Sequence, residues 1–204
     1  MNAGQALVRA YLHLNGFLTD AELPVIRKEK DGTFRVTTDI DLLALRFPHS
    51  TRRVAKGRPG LADDLVFQVD PELDVARDAM DLIIAEVKEG RPRINPALRS
   101  RETLTTALAR LGCCHPDDLD QVVERLRRNG RATAERGTEA VPCRIRILAF
   151  GDGEPGDRDG YRVVQLRRVA EFVREHLRRY RKVLHSVDLA DPALGVLHLL
   201  EKLS

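Results

Sequence analysis

Two carboxylates and one ammonium group occur in this sequence where two buried strands would bring them together. Glu86 and Lys88 directly follow the apolar residues 82–85. Asp41 directly precedes a second apolar run, residues 42–45. Two neighbouring carboxylates repel each other unless a divalent cation lies between them, and Mg²⁺ prefers such oxygen ligands. A nearby ammonium group can then orient an attacking water or stabilise the charge of a phosphate.

The segment that carries Glu86 and Lys88 is predicted to be a strand. Residues 82–85 are apolar and rich in β-branched side chains, and no turn residue separates them from Glu86. This pattern is typical of a strand buried on both faces. Because side chains alternate along a strand, Glu86 and Lys88 would share one face with Leu82 and Ile84. The structural alternative is a strand end that frays into water with an incidental ion pair.

Asp41 is predicted to lie on the second strand of a hairpin that follows an opening helix. The pattern predicts a helix over residues 3–15, a strand over 22–29, a tight turn at 30–32 and a returning strand over 33–47. Alternation would place Asp39 and Asp41 on one face of that strand. Ile40, Leu42 and Ala44 would then occupy the other face. Asp39 is therefore an accessory candidate for the site.

The order of helix, Asp strand and Glu-x-Lys strand resembles the PD-(D/E)xK nuclease superfamily. Asp41-Leu-Leu-Ala and Ile84-Ala-Glu-Val-Lys88 are similar to the matching strands of archaeal Holliday-junction resolvases and of related restriction-type endonucleases. Residues 6–17 are similar to the first helix of those resolvases, which ends in Gly-Phe. A Glu stands eleven residues before that Gly in the resolvases, and Gln5 occupies the position here. The segment between the two strands is also tens of residues longer than in a minimal resolvase.

The resemblance implies a fold, a cofactor and a set of roles. The fold would be α/β, with a restriction-endonuclease-like central mixed sheet flanked by helices and a helical C-terminal portion. Mg²⁺, or Mn²⁺, would be held by Asp41, Glu86 and the carbonyl of Val87. Lys88 would position the water or stabilise the phosphate, and Gln5 would be an orienting amide near the site. Residues 1–204 would form one nuclease-like domain, with its core motifs at 3–90 and with helices and one further strand at 99–204.

Basic side chains are concentrated in two segments that are candidates for binding nucleic acid. Residues 162–182 contain eight Lys and Arg against two Glu, a net charge of +6, although the whole chain carries only +3. Such a stripe is the usual footprint of a phosphate-rich partner, but it is also common on a plain solvated helix. Its predicted outward face includes Arg174, Arg178 and Arg181. The second segment is a predicted loop, which is either a solvated insertion or a clamp on nucleic acid and contains Arg52, Arg53 and Lys56.

Composition limits the remaining possibilities. Charged residues make up 32% of the chain and hydrophobic residues 43%, which is typical of a globular protein that does not span a membrane. No apolar run approaches the roughly 20 residues of a membrane span, and no signal peptide is recognisable, so we expect a cytoplasmic protein. The three cysteines have no metal-ligand spacing. A final apolar helix over 192–203 would cap the core or meet a second copy or a protein partner.

The sequence therefore favours a metal-dependent DNA endonuclease. The first alternative is a nuclease-fold module without catalysis that binds nucleic acid or a protein within a larger complex, since fold does not fix function. Gln5 favours this alternative, whereas the intact Asp41, Glu86 and Lys88 favour the enzyme. A further alternative is a structural subunit that docks through the final helix.

Overall fold

The computed structural model describes residues 1–51, 53–54, 64–65, 69–135, 141–158, 160–184 and 191–203. Its helices are α1 (Ala3–Leu14), α2 (Arg101–Leu111), α3 (Leu119–Asn129), α4 (Leu166–Arg179), α5 (Arg181–Leu184) and α6 (Pro192–Leu203). Its strands are β1 (Leu18–Lys28), β2 (Phe34–Arg46), β3 (Arg53–Val54), β4 (Asp64–Leu65), β5 (Met80–Val87), β6 (Arg131–Ala134), β7 (Cys143–Gly151), β8 (Gly156–Arg158) and β9 (Tyr161–Gln165). Short 3-10 turns cover Pro71–Leu73, Pro96–Arg99 and Pro116–Asp118.

The central feature is a mixed seven-stranded sheet in the order β1-β2-β5-β7-β9-β8, with β6 also paired to β7. The strands β1, β2 and β5 form an antiparallel meander, and β7 runs parallel to β5 and to β9. Both β6 and β9 lie along the edge of β7 that faces away from β5, one after the other. The expected α/β fold with a mixed sheet and flanking helices is therefore confirmed at this level.

Two hydrophobic cores cover the two faces of the sheet. On the first face, α1, α4 and α6 pack against a core that includes Tyr11, Ile83 and Val173. On the second face, α2 and α3 pack against a core that includes Ile84, Leu104 and Val123. All eight residues of β5 are buried, so the predicted strand with two covered faces is confirmed.

Capping residues explain where several of these helices begin and end. Ser100 caps the start of α2 with a side-chain hydrogen bond to the backbone N–H of Thr103. Gly16 and Gly112 follow α1 and α2 with φ angles of +86° and +59°, which only glycine adopts at little cost. The bounds of α1 agree with the helix predicted over residues 3–15.

Two local predictions are wrong. The strand β1 begins at Leu18, four residues before the predicted start. The sequence of residues 74–80 predicts a helical turn, but the turn lies earlier, at Pro71–Leu73, because Asp70 caps it and Asp74 ends it with a φ of 44°. The sequence of residues 65–69 also predicts a short strand. Leu65 belongs to β4, and residues 66–68 lie outside the described part of the chain.

The C-terminal helix α6 packs on the first face through Leu194, which is buried. Among the side chains of α6 that the structure describes, three apolar ones are exposed, namely Val196, Leu199 and Leu200. Among the described residues, no helix is both long enough and apolar enough to cross a membrane.

Candidate functional site

The pairing of β2 with β5 places Asp41 and Glu86 side by side. Leu42 lies opposite Ala85 and Leu43 lies opposite Ile84 in the antiparallel register. Asp41 and Glu86 are the next residues on each strand, at the end of this pairing. The Asp41 side chain also contacts the backbone at the end of β5, since its Oδ2 accepts a hydrogen bond of 2.7 Å from the Val87 N–H. The predicted convergence of the two strands on one site is thus present.

The opening helix reaches the same site through Gln5. Its Nε2 donates a hydrogen bond of 2.9 Å to Asp41 Oδ1, so both oxygens of Asp41 accept a hydrogen bond. The other end of the Gln5 amide is occupied as well, because Oε1 accepts the backbone N–H of Asn2 at 2.8 Å. In turn, the Asn2 Oδ1 accepts a hydrogen bond from the Gln5 N–H, which completes a capping box. The cap therefore fixes which end of the amide faces Asp41.

A second contact ties the helix to the end of β5. The backbone N–H of Gly4 donates to Glu89 Oε1 at 3.1 Å. An acidic side chain at a helix N-terminus also interacts favourably with the helix dipole. Together with the Gln5–Asp41 bond, this contact holds the start of α1 against both strands that carry the candidate residues.

Glu86 and Lys88 form a close ion pair with unequal exposure. The Lys88 Nζ lies 2.6 Å from Glu86 Oε1, and the side chains are 47% and 4% exposed respectively. Burial raises the pKa of Glu86, and the nearby charge of Asp41 adds to the shift, whereas Lys88 and the Asn95 N–H oppose it. The hydrogen bond that Lys88 donates to Glu86 raises the pKa of Lys88. The buried carboxylate is therefore only partly compensated, and its partner reaches water.

Asp39 lies apart from this cluster. It is exposed, and none of the hydrogen bonds or ion pairs between described residues joins it to Asp41, Glu86 or Lys88. The predicted alternation is also wrong, since Leu42 lies in the first core and Ile40 in the second.

A distortion in β1 lies directly beside this break. Ala21 pairs with Leu42 and Leu23 with Ile40, and Glu22, which would face Asp41, has a left-handed φ of 54°. A non-glycine residue rarely adopts this conformation. The irregularity lies directly beside Asp41, where the neighbouring strand no longer follows the pleat.

The candidate ligands are of the types that bind a hard divalent cation, but there are few of them. Asp41 and Glu86 offer carboxylate oxygens, and Val87 offers a backbone carbonyl, which are the ligand types that Mg²⁺ and Mn²⁺ take. Within the described part of the chain, no group of three or more His, Cys, Asp and Glu side chains is placed to hold a metal ion. Mg²⁺ usually keeps several waters and needs only one or two carboxylates, so two acidic side chains are compatible with it.

In comparisons with known proteins, no family model, curated protein or solved structure matches this chain. The chemistry of the site therefore rests on its own residues.

The basic candidates divide into three groups. Arg52 and Lys56 lie outside the described residues, and Arg53 is described only as part of the backbone of β3. Arg174 and Arg178 are exposed as predicted, but both are paired, since their Nε atoms lie 3.0 Å and 2.6 Å from the two oxygens of Glu201 on α6. Arg181 is exposed, and the described contacts include no carboxylate partner for it.

Several residues that shape the site were missed at the level of sequence. The signal for Asn2 was present, because Asn followed three residues later by Gln is a capping-box pattern. Glu89 and the Asn95 N–H had no such signal, since their contacts depend on how the chain folds back after β5.

We expect Glu86→Gln to raise the melting temperature in EDTA, with a larger gain at about pH 8 than at about pH 4.5. A carboxylate whose folded pKa is raised costs nothing below its unfolded pKa and its full amount above its folded pKa. An amide removes that cost and can still accept from the Asn95 N–H. Lys88→Gln is the matched opposite, because it removes the partner of Glu86 and should lower the melting temperature at about pH 8. If Glu86→Gln did not raise the melting temperature, or raised it more at about pH 4.5 than at about pH 8, this electrostatic description would be contradicted.

We expect Gln5→Glu to keep the cap of α1 but to place a third carboxylate against Asp41. In EDTA the melting temperature should fall by about 2–8 °C, since the lost hydrogen bond and the added repulsion cost roughly 1–2 kcal/mol. Mg²⁺ should restore more stability to this variant than to the wild type. Gln5→Ala is the control, because it loses the same donor without adding charge and should not respond to Mg²⁺ more than the wild type. Equal responses in all three proteins would separate Gln5 from any metal site.

Proposed function

We propose that this chain is a metal-dependent DNA endonuclease that hydrolyses phosphodiester bonds. The observation that carries the proposal is the cluster formed by Gln5, Asp41, Glu86 and Lys88 at the end of the β2–β5 pairing. Charged groups are expensive to bury, and such clusters are more frequent at functional sites than elsewhere. Glu86 is almost fully buried, yet its only cationic partner among the described residues is half exposed.

Each residue has a definite task in this proposal. Asp41, Glu86 and the Val87 carbonyl would hold Mg²⁺ or Mn²⁺. The ion, when bound, supplies Lewis-acid stabilisation of the phosphate and an acidified water. Gln5 orients Asp41, because its amide is held from both ends. From its half-exposed position, Lys88 would exchange Glu86 for a phosphate oxygen or the attacking water, where its positive charge would stabilise the developing negative charge.

The topology supports a restriction-endonuclease-like fold as the finer assignment. A helix precedes three antiparallel strands, and the third of these strands, which carries Glu86, is followed through helices by a parallel strand. The candidate residues come from the first helix and from the second and third strands of that series. This is the order of elements on which the resemblance to the PD-(D/E)xK superfamily rests.

A binding module without catalysis is the second candidate, and a specific contact favours it. Lys88 forms an ion pair with Glu86 at 2.6 Å. Gln5 carries no negative charge at the position where the resolvases have a carboxylate, so it adds no charge that would attract a cation. A site whose members satisfy each other can persist as structure after its chemistry is lost. The same cleavage experiment distinguishes the two candidates.

We expect Asp41→Asn and Glu86→Gln each to lower the rate of DNA cleavage by about a hundredfold or more, in Mg²⁺ or Mn²⁺. The substrates are duplex, single-stranded and branched DNA, and melting temperatures confirm that each variant is folded. Asp39→Asn is the matched control, since this carboxylate lies two residues away on the same strand but is exposed and outside the cluster. Wild-type rates in both site variants would refute the assignment. A wild-type protein that binds DNA but cuts none of the substrates would favour the binding module.

We expect the basic helix to contribute less to DNA affinity than its charge suggests. Replacing Arg181 by Gln should lower the slope of log affinity against log salt by about 1. Replacing Arg174 and Arg178 together should lower it little, because Glu201 already neutralises part of their charge. Fluorescence anisotropy with labelled duplex over a salt series, in Ca²⁺ to suppress cleavage, measures both. A fall of about 2 in the double variant would show that both arginines leave Glu201 for phosphates.

A further inference from the structure

A cleft of about 970 Å³ opens where β6 gives way to β9 along the edge of β7. Gly130 and Gly160 both line the cleft, and their backbones approach so closely that a Cβ on Gly130 would lie only 1.8 Å from the carbonyl oxygen of Gly160. Six guanidinium groups line it, from Arg128, Arg131, Arg144, Arg146, Arg158 and Arg162. Two carboxylates also line it, Asp74 and Asp157.

The sheet register forces several of these cations together. Arg131 lies directly opposite Arg146, and Arg144 lies two residues along the same strand. Cross-strand neighbours share a face of the sheet, and like charges placed directly opposite each other are destabilising. Such an arrangement is unfavourable unless an anion lies between the cations.

The fold supplies only part of that anionic charge. Asp81 is fully buried and accepts from Arg146 at 2.9 Å and from Arg144 at 2.7 Å. Asp74 lies 3.1 Å from Arg144, and Glu72 lies 3.8 Å from Arg162. The described contacts include no carboxylate partner for Arg128, Arg131 or Arg158, which are exposed at the rim. Cationic donors are therefore left over at the mouth of the cleft.

The cleft is separate from the acidic cluster. Arg146 lies opposite Ile83 on the face of the first core, whereas Glu86 follows Ile84 on the face of the second core. The Asp81 end of β5 and the Glu86 end are also five residues apart, or about 17 Å along a strand. A ligand in the cleft need not contact the proposed catalytic residues, so its binding does not depend on the proposed activity.

We propose that this cleft binds an anion with two or more phosphate groups. Arginine matches phosphate through two parallel N–H donors, and several guanidinium groups around a roomy cleft suit a polyphosphate better than a single small ion. The shared chemistry is a row of phosphates, which either a free polyphosphate or the backbone of a nucleic acid presents. Tripolyphosphate and a short duplex are the two probes that distinguish these sources.

The test compares two double variants with the same loss of charge. Arg131→Gln with Arg158→Gln removes two rim cations, and both side chains are exposed. Arg125→Gln with Arg167→Gln removes two exposed arginines that do not line the cleft. We expect calorimetric titration with tripolyphosphate, at ionic strength fixed with chloride, to give a dissociation constant at least tenfold higher than that of the wild type in the first variant only. Arg131→Lys keeps the positive charge but loses the paired N–H donors of the guanidinium group. It should therefore weaken binding by less than the double variant does.

The duplex is measured in parallel by anisotropy. Loss of tripolyphosphate affinity in the rim variant, with equal duplex affinity in the two double variants, supports a free polyphosphate ligand. Loss of duplex affinity in the rim variant, relative to its control, supports a nucleic-acid backbone. Equal affinities for both probes in all proteins, or no binding of either probe by the wild type, would overturn the proposal. Asp41→Asn should bind tripolyphosphate like the wild type, so the failure of the proposed endonuclease and the failure of this site are distinguishable.

Discussion

The register between β2 and β5 is the constraint on which the rest of the molecule depends. Both faces of β5 are covered by hydrophobic cores, so a slip of one residue would exchange every side chain between the two faces. That register puts Asp41 and Glu86 at the end of the same pairing. The helix α1 then has one position in which Gln5 meets Asp41 and Gly4 meets Glu89. The geometry of the polar cluster is thus a consequence of apolar packing.

The two buried carboxylates of β5 show how burial separates a structural charge from a functional candidate. Asp81 receives two guanidinium groups and a backbone N–H from Ala76, which satisfies it within the fold. Glu86 receives one ammonium group that is half exposed, and its pKa is raised by burial in spite of it. A charge that the fold has compensated is expected to stay as it is. An incompletely compensated one gains from any cation that reaches it.

Local sequence signals predicted much of the fold. The apolar run of β5, the hairpin turn at 30–32 and the end of α1 depend on a few residues each, and each was placed correctly. The break in alternation beside Asp41 was missed because strict periodicity does not register a distortion such as the left-handed Glu22 on the neighbouring strand. The pairing of Arg174 and Arg178 with Glu201 was missed for a similar reason, since it joins two helices across 27 and 23 residues. Periodicity places a side chain on a face but does not say what that face meets.

The charges around β7 divide into arginines that the fold needs and arginines that it does not need. The inner arginines, Arg144 and Arg146, are held by Asp81, so their loss would leave a buried carboxylate unpaired and destabilise the protein. The rim arginines Arg128, Arg131 and Arg158 pair with no buried carboxylate in the described contacts, and exposed charges contribute little to stability. They can therefore be replaced without disturbing the sheet, whereas the inner arginines cannot, because they pair with the buried Asp81.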